Sequence, residues 1–465
     1  MHLIRHYDNI QPHAALYVNI TNTTYSNMEI SELYDIFRTH PIVTTDTRQC
    51  VKDSIFFALK GASFNGNDFA LKALHEGCSY AVVDETRAEW TLDGNADTAR
   101  RIIRVGNVLH TLQQLARHHR RALGTRIIGV TGTNGKTTTK ELIAAVLSEK
   151  YNVLYTQGNL NNHIGVPLTL LRLNASHDIA VIEMGANHPG EIKTLVEIVE
   201  PDCGIITNVG RAHLGGFGSF EGVVKTKGEL YDFLRKTHAT VFIDADNAHL
   251  NGIAQGLSPV RYTSQGAPDA DVEGSVVECK PFLTFEWRRR GGDTHRVETH
   301  LIGDYNICNM LAAATVGAHF GVCDNDICHA LQSYIPSNNR SQLTVTAHNR
   351  LIVDAYNANP TSMAAALHNF ANMQAEPKMM ILGSMGELGD VSKEEHQRVV
   401  DTIKASGIND VWLVGEGFAQ AEHPFRQFNN VEEVKAEIAK TDIRGKYILI
   451  KGSNAQKLFL LPELL

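Results

Sequence analysis

The chain has 465 residues, 43% of them hydrophobic and 20% charged, with a formal net charge of −8. Such a length suggests about three domains of ~150 residues, and the absence of any dense Lys/Arg run argues against nucleic acid as a partner. No apolar run approaches the ~18 residues that a membrane span needs, and the seven scattered cysteines lack any Cys-x-x-Cys, so a disulfide framework or zinc site is not expected and a reducing cytoplasm fits.

Residues 1–27 are rich in His, Asn and Thr with little helical period. They read either as an extension outside the fold, with Met28 opening the better helical pattern MEISELYDIF, or as an extra edge strand at ALYVNI. The stretch up to about Arg126 carries TTDTR and FFALKGASFNGNDF, with many small and turn-forming residues. RIIGVTG, from Arg126 to Gly132, predicts a buried strand ending in a glycine turn, and TTTKELIAAVLSEK continues with helical spacing. Further strands are expected at HDIAVIEMG, CGIITNVG, TVFIDAD, RLIVDAYN, KMMILGSMG, DVWLVG and YILIKGS. Strands alternating with helices predict an α/β fold with mostly parallel sheets and right-handed crossovers. The alternation in SVVECKPFLTFEWRRR predicts antiparallel strands, and YIPSNNR, Tyr334 to Arg340, reads as a linker. Domain boundaries are therefore expected near residues 125 and 338.

The sharpest local signal is GVTGTNGKTTTKEL. Glycines let backbone N–H groups turn toward a phosphate, and the N-terminus of the following helix favours negative charge. Gly132, Thr133, Asn134, Gly135, Lys136, Thr137 and Thr138 form the expected phosphate loop, with Lys136 reaching the β/γ-phosphates and the Thr137 hydroxyl on magnesium. The strict spacing G-x-x-x-x-G-K-[ST] is not met, since Val130 stands at its first glycine position. The loop alone names no reaction, because switches, motors and kinases all use one.

GTNGKTTTKEL resembles the ATP loop of the Mur ligases and of their relative folylpolyglutamate synthase. GNLNNHIGVPLTLLRL, IEMGANHPGEI, AHLGGFGSFEGVVKTKGELY, DAYNANPTSM, ILGSMGELGD followed by His396, and KGS at Lys451 to Ser453 narrow the resemblance. They point to the branch of the family that joins D-alanyl-D-alanine to UDP-N-acetylmuramoyl-tripeptide in cell-wall precursor synthesis. The resemblance covers nearly the whole chain from about Met28. It implies three α/β domains: a small mixed α/β UDP-sugar domain (28–125), a central P-loop ATP domain with a mostly parallel sheet (126–337) and a C-terminal Rossmann-like domain on the amine-substrate side (338–465). It further implies a cytoplasmic monomer using ATP and two magnesium ions. A carboxylate is a poor electrophile, so ATP would first convert the tripeptide's terminal carboxylate into an acyl phosphate, and the dipeptide amine would then displace phosphate.

The resemblance also assigns residues. Thr137 and Glu183 would hold the first magnesium, His213 would serve the second, and Lys227, rather than its neighbour Lys225, would be the lysine that is carbamylated in several family members. Asn306 would read adenine with support from Asn309, although Tyr305 replaces the family's usual histidine and Asp244 stands where asparagine is usual. Arg340 would meet the γ-phosphate and Asp354 the ribose. Asn159, Asn161 and Asn162 would lie beside the tripeptide, with turn chemistry as the alternative for each; Asn187 and His188 share that ambiguity. Asn357, Lys451 and Ser453 are either substrate contacts or surface groups at strand ends. In the N-terminal domain Thr47, Arg48, Lys60 and Gly61 would meet the UDP pyrophosphate, and Phe64 or Phe69 either packs on uracil or belongs to the core.

Two rival readings remain at this level. One is another amide ligase of the same family, against which TTDTR argues in the case of a folate enzyme. The other is a regulatory P-loop protein, of which a GTPase is disfavoured because no Asn-Lys-x-Asp guanine motif occurs.

Overall fold

The computed structural model describes residues 28–88, 90, 96–336, 340 and 342–465. The two readings of residues 1–27, and position 338 of the expected second boundary, lie outside the described residues. The Val- and Ile-rich runs form strands where the sequence predicts them, because β-branched side chains fit a pleated surface covered on both faces.

The first compact unit comprises the described residues up to 125, with 159–177 and 197–200. Its described part holds β1 (Ile42–Thr44), β2 (Ser54–Phe57), β3 (Tyr80–Val83) and β4 (Ile102–Arg104) in the order β1-β2-β3-β4, all parallel. The helix Ile30–Thr39 starts with a capping box between Glu29 and Glu32 and buries Leu33 and Phe37. The helix Val108–Leu123, capped by Asn107 and ended by Gly124 at φ +66°, buries Leu112, Leu115 and His119. Its Arg117 donates to the Glu200 carboxylate at 3.0 Å, Arg121 pairs with the same carboxylate, and Gln113 donates to the His163 carbonyl at 3.0 Å. These bonds tie the two excursions of chain, 159–177 and 197–200, to this helix.

The second unit comprises residues 126–158, 178–196 and 201–465. One sheet runs β13-β12-β11-β10-β9-β8-β5-β7-β6. Its strands are β5 (Arg126–Thr131), β6 (Val153–Tyr155), β7 (Ile179–Glu183), β8 (Cys203–Ile206), β9 (Thr240–Asp244), β10 (Pro259–Thr263), β11 (Val272–Cys279), β12 (Phe282–Arg289) and β13 (His295–Ile302). Pairing is parallel from β6 to β11 and antiparallel through β11, β12 and β13, the β11–β12 pair being the one expected from the alternation in SVVECKPFLTFEWRRR. The helices Lys136–Ser148 and Ile307–His319 cover the sheet with Leu142, Val146, Met310, Leu311 and Ala314. Each fully buried Leu, Val or Met there contributes roughly 1.5–3 kcal/mol.

A second sheet of this unit runs β14-β15-β19-β16-β17-β18, from β14 (Gln342–Val345), β15 (Arg350–Asp354), β16 (Lys378–Gly383), β17 (Val411–Val414), β18 (Arg426–Phe428) and β19 (Tyr447–Lys451). Only the β14–β15 pair is antiparallel. Alternate residues supply its two cores: Ile352, Met380 and Leu382 on one face, Leu351, Val353 and Ile381 on the other. In both sheets the carboxyl ends of the parallel strands carry the groups described next, as expected for open α/β sheets.

Candidate active site

Strand β5 lies between β7 and β8, so its inner positions are apolar and buried. Val130 still belongs to this strand at 0% exposure, which is why no glycine is needed at that point. The turn begins at Gly132, with φ +144°, where a Cβ would stand 2.1 Å from the Thr207 hydroxyl. Gly135 has φ +75°, and a Cβ there would stand 2.6 Å from Asn309 Oδ1. Both positions therefore demand glycine. The segment after β8 frames the loop: Thr133 N donates to Asn208 O at 2.9 Å, Asn134 N to Asn208 Oδ1 at 3.0 Å, and the Thr207 hydroxyl to Asn134 O at 2.6 Å.

The helix Lys136–Ser148 follows, with Gly135 as a cap that offers no side-chain acceptor. Its first-turn amides have no acceptor within the helix, which makes this end a binding place for anionic oxygen. Lys136 folds back so that Nζ donates to Gly132 O and Thr133 O, each at 2.9 Å. Desolvation pulls its pKa down to about 8; the charge of Arg340 acts in the same direction and that of Glu183 against it.

Glu183 ends β7 at 1% exposure, and Thr137 Oγ1 donates to its Oε1 at 3.2 Å. A hydroxyl and a carboxylate side by side form a hard-oxygen pair that suits magnesium. Among the described residues no group of three or more His, Cys, Asp or Glu can hold a metal unaided, so phosphate oxygens and water would complete such a sphere. Lys227 is turned inward at 2% exposure, whereas Lys225 is exposed. Its Nζ donates to Ala186 O at 3.2 Å and lies 5.3 Å from the Phe217 ring centroid. Burial drives its pKa well below the ordinary lysine value, the charge of Lys136 adds to this, and Glu191 and Glu229 oppose it. His213, at φ +50°, places Nδ1 against the Glu387 carboxylate. Desolvation and the charges of Lys136, Lys227 and His188 push the ring's pKa to about 3, and the contact with the Glu387 carboxylate, an acceptor, places the N–H on Nδ1. A neutral ring with that N–H carries its lone pair on Nε2, the form that can ligate a metal.

Glu387 sits in the loop after β16, itself in the left-handed region at φ +59°. The loop is held by His396, fully buried, whose Nε2 accepts from Met385 N at 3.0 Å and whose Nδ1 donates to Ser392 O at 2.7 Å. Gly215 N donates to Glu387 O at 3.2 Å, Arg211 pairs with the buried Glu395 at 2.9 Å, and the Asn359 amide donates to Asn134 Oδ1 at 2.8 Å. The parallel register of β15 and β19 sets Asp354 beside Lys451. Lys451 is 1% exposed and forms an ion pair with Asp354, and Ser453 is buried too. Neither is the surface group that the sequence left open. Asn357 is exposed, with Oδ1 accepting from Ala358 N at 2.8 Å. The Arg340 guanidinium lies 4.0 Å from the Tyr356 ring centroid.

The expected adenine residues form a buried chain of amides. Asn306 Nδ2 donates to Ile302 O at 2.9 Å, Asn309 Nδ2 to Asn306 Oδ1 at 2.8 Å, and the Thr139 hydroxyl to Asn309 Oδ1 at 3.0 Å. Tyr305 is partly exposed and its ring packs over Gly303. Asp244, at the end of β9, is 8% exposed; burial raises its pKa to about 6, with the charge of Asp246 adding and the Asp246 N–H opposing.

In the first unit, Thr47 opens the short helical turn Thr47–Gln49, and Arg48 is held by both carboxylate oxygens of Asp46, at 3.0 and 3.1 Å. Lys60 pairs with Asp84 at 2.9 Å and Glu85 at 3.1 Å. The Phe64 ring covers Gly61, where a Cβ would come within 2.2 Å, and Phe69 is 39% exposed rather than core. Asn162 Oδ1 accepts from Ile164 N and Gly165 N at 3.1 and 2.9 Å, and Asn161 N donates to Asn159 O at 2.7 Å, so turn chemistry is present at this loop. In the second unit Asn187 N and His188 N both donate to the Glu191 carboxylate, at 2.6 and 3.0 Å.

Residues 130–317 match the Mur ligase middle domain and residues 339–454 the Mur ligase glutamate ligase domain. The chain is 34% identical over 428 residues to the UDP-N-acetylmuramoyl-tripeptide–D-alanyl-D-alanine ligase of Bacillus subtilis (strain 168), covering 90% of this chain and 91% of that one. It belongs to the Mur ligase family. Among solved structures it is similar to MurF from Acinetobacter baumannii, with TM-score 0.80 and 29% identity over 90% of this chain and 93% of that chain. It is equally similar in shape to MurF ligase from Thermotoga maritima in complex with ADP, with TM-score 0.80 and 25% identity over 92% and 97% of the two chains.

In this Mur ligase several polar groups at the same strand ends were not singled out by sequence reasoning. Thr207 and Asn208 frame the phosphate loop, Glu387 meets His213, and Arg211 pairs with Glu395. Lys140 is fully buried, donating to Thr156 O at 2.7 Å, while Thr156 accepts from Glu183 N at 2.9 Å and so helps to aim the carboxylate. The available signal was weak: Lys140, Thr207, Asn208 and Glu387 fall within the motifs above but Thr156, Arg211 and Glu395 do not, and each meets a partner at least 16 positions away in the chain.

Proposed function

We infer that the protein is an ATP-dependent, ADP-forming ligase that joins D-alanyl-D-alanine to UDP-N-acetylmuramoyl-tripeptide in peptidoglycan precursor synthesis. What carries the reading is the likeness over about nine-tenths of both chains to a ligase named for those substrates, together with a phosphate loop whose Thr137 adjoins Glu183 at 3.2 Å. We assign residues 28–125 to the UDP-sugar side, 126–337 to ATP and 338–465 to the amine side, in a cytoplasmic monomer.

The chemistry follows from charge. The tripeptide's terminal carboxylate attacks the γ-phosphorus, the bond to ADP breaks, and an acyl phosphate forms. The dipeptide amine then attacks that carbonyl, loses a proton, and phosphate leaves. Two anions must approach each other, so cationic and N–H groups have to offset their repulsion. Gly132, Thr133, Asn134, Gly135 and Thr138 supply the turn and the helix end, Lys136 swings from its carbonyl acceptors onto the β/γ-phosphates, and Arg340 faces the γ-phosphate. Asn306 and Asn309 serve the adenine side and Asp354 the ribose. Thr137 and Glu183 are the oxygen donors for one magnesium ion, and His213 with Lys227 the site of a second. Magnesium, when bound, neutralises phosphate charge and draws the two anions together. Lys227 is suited to carbamylation, because a buried amine of depressed pKa is nucleophilic toward carbon dioxide. Arg48, Thr47, Lys60 and Gly61 take the UDP pyrophosphate by exchanging carboxylate partners for phosphate. Asn159, Asn161 and Asn162 in the first unit, and Asn357, Lys451 and Ser453 in the second, are assigned to substrate binding.

Phosphate release tested with one amine at a time checks the reading. D-alanyl-D-alanine with UDP-muramoyl-tripeptide should stimulate release, and single amino acids, or glutamate with a folate, should not. Hydrolysis that no amine stimulates would overturn it in favour of a regulatory P-loop protein.

A further inference from the structure

In the N-terminal unit the Sγ atoms of Cys50 and Cys78 lie 2.8 Å apart, although the residues are 28 positions apart in the chain. Backbone geometry fixes both ends. Cys50 follows the turn Thr47–Gln49, its N–H reaching Thr47 O at 3.4 Å. Cys78 N donates to Ala73 O at 3.0 Å, and Arg101 donates to Cys78 O at 2.6 Å. The Ser54 hydroxyl lies 3.1 Å from Cys78 Sγ. Cys78 is fully buried and Cys50 half-buried, so a small reagent can reach the pair only through Cys50.

We propose that Cys50 and Cys78 are a modification site, a thiol pair that a small-molecule disulfide converts reversibly into an intramolecular disulfide. The Cys50 thiolate attacks one sulfur of the small disulfide, whose S–S bond breaks. A mixed disulfide forms and one small thiol leaves. The Cys78 thiolate then attacks Cys50 Sγ and expels the second small thiol. The two protein thiols give up two electrons to the small disulfide, and their two protons end on the released thiols. The sulfurs need to close to the ~2.05 Å of a disulfide, a shift smaller than a side-chain rotation. Burial, with Cys78 adding, raises the Cys50 pKa to about 12, so exchange is slow and quickens with pH. The bond would close a ring that starts at Cys50, two residues beyond Arg48, and contains Lys60 and Gly61. This is a latent bridge in one unit and not the disulfide framework that the cysteine spacing argues against.

The test incubates folded wild-type protein with oxidised glutathione at pH 8.5, alkylates remaining thiols, and maps peptides by mass spectrometry. The expected product is a linked Cys50–Cys78 peptide that dithiothreitol abolishes. Cys78→Ser should instead hold glutathione on Cys50, because the resolving thiol is gone. Recovery of both wild-type cysteines as alkylated thiols, or a stable glutathione adduct on wild-type Cys50, would overturn the proposal.

Discussion

The Thr137 hydroxyl donates to the Glu183 carboxylate at 3.2 Å, across 46 positions of sequence. One residue lies in the first turn of the phosphate-loop helix and the other ends the neighbouring strand β7, so the pairing of β5 with β7 is what brings the two oxygens together. Glu183→Gln keeps the shape of the side chain and removes its charge. Turnover should fall by about 10²–10³-fold, the scale for loss of one electrostatic contact to a transferring group. Amine-stimulated phosphate release measures this, with the melting temperature as a folding control. Activity within a few-fold of wild type would remove Glu183 from the site.

Lys227→Ala should abolish turnover, since it deletes the inward-facing amine beside Ala186 O. If the working form is a carbamate, acetate or formate should restore part of the rate in the variant and leave wild type unaffected. Wild-type activity in the variant would dismiss the idea.

Lys451 and Asp354 are paired through the register of β19 and β15, with the lysine 1% exposed. Lys451→Met leaves Asp354 uncompensated and should destabilise the fold by about 2–4 kcal/mol. The double variant with Asp354→Asn should recover much of that loss. Denaturant unfolding of the four proteins in the cycle reads the coupling, and strict additivity would show that the pair contributes none.

Asp244 gives a pH dependence whose sign is fixed. Its carboxyl is raised to about 6 from an ordinary 3.8, so the folded state holds the proton more tightly. Stability is therefore lost as pH rises from about 4 to about 6 and stays lower above that range. Asp244→Asn keeps an acceptor for the Asp246 N–H and cannot ionise. It should raise the melting temperature more at pH 8 than at pH 4. Equal gains at both values would contradict the burial argument.

Much of this was legible in the residues themselves. RIIGVTG became β5, IAVIE became β7, and the antiparallel β11–β12 pair followed from alternating residues. Short elements escaped: β6, with three residues, and β18 are too brief to show a period. The adenine-side asparagines were visible as residues, but not as a chain of amides linking Ile302 to Thr139.

By itself the sequence determined the strand–helix alternation, the glycine turn before Lys136, and the carboxylate at the end of IAVIE, because periodicity and turn stereochemistry are local. Only the tertiary structure decided that Glu387 meets His213, that Lys451 is buried against Asp354, and that Cys50 touches Cys78. Those meetings depend on which strands pair and in what register, a choice made by burial of the whole core rather than by any short run of residues.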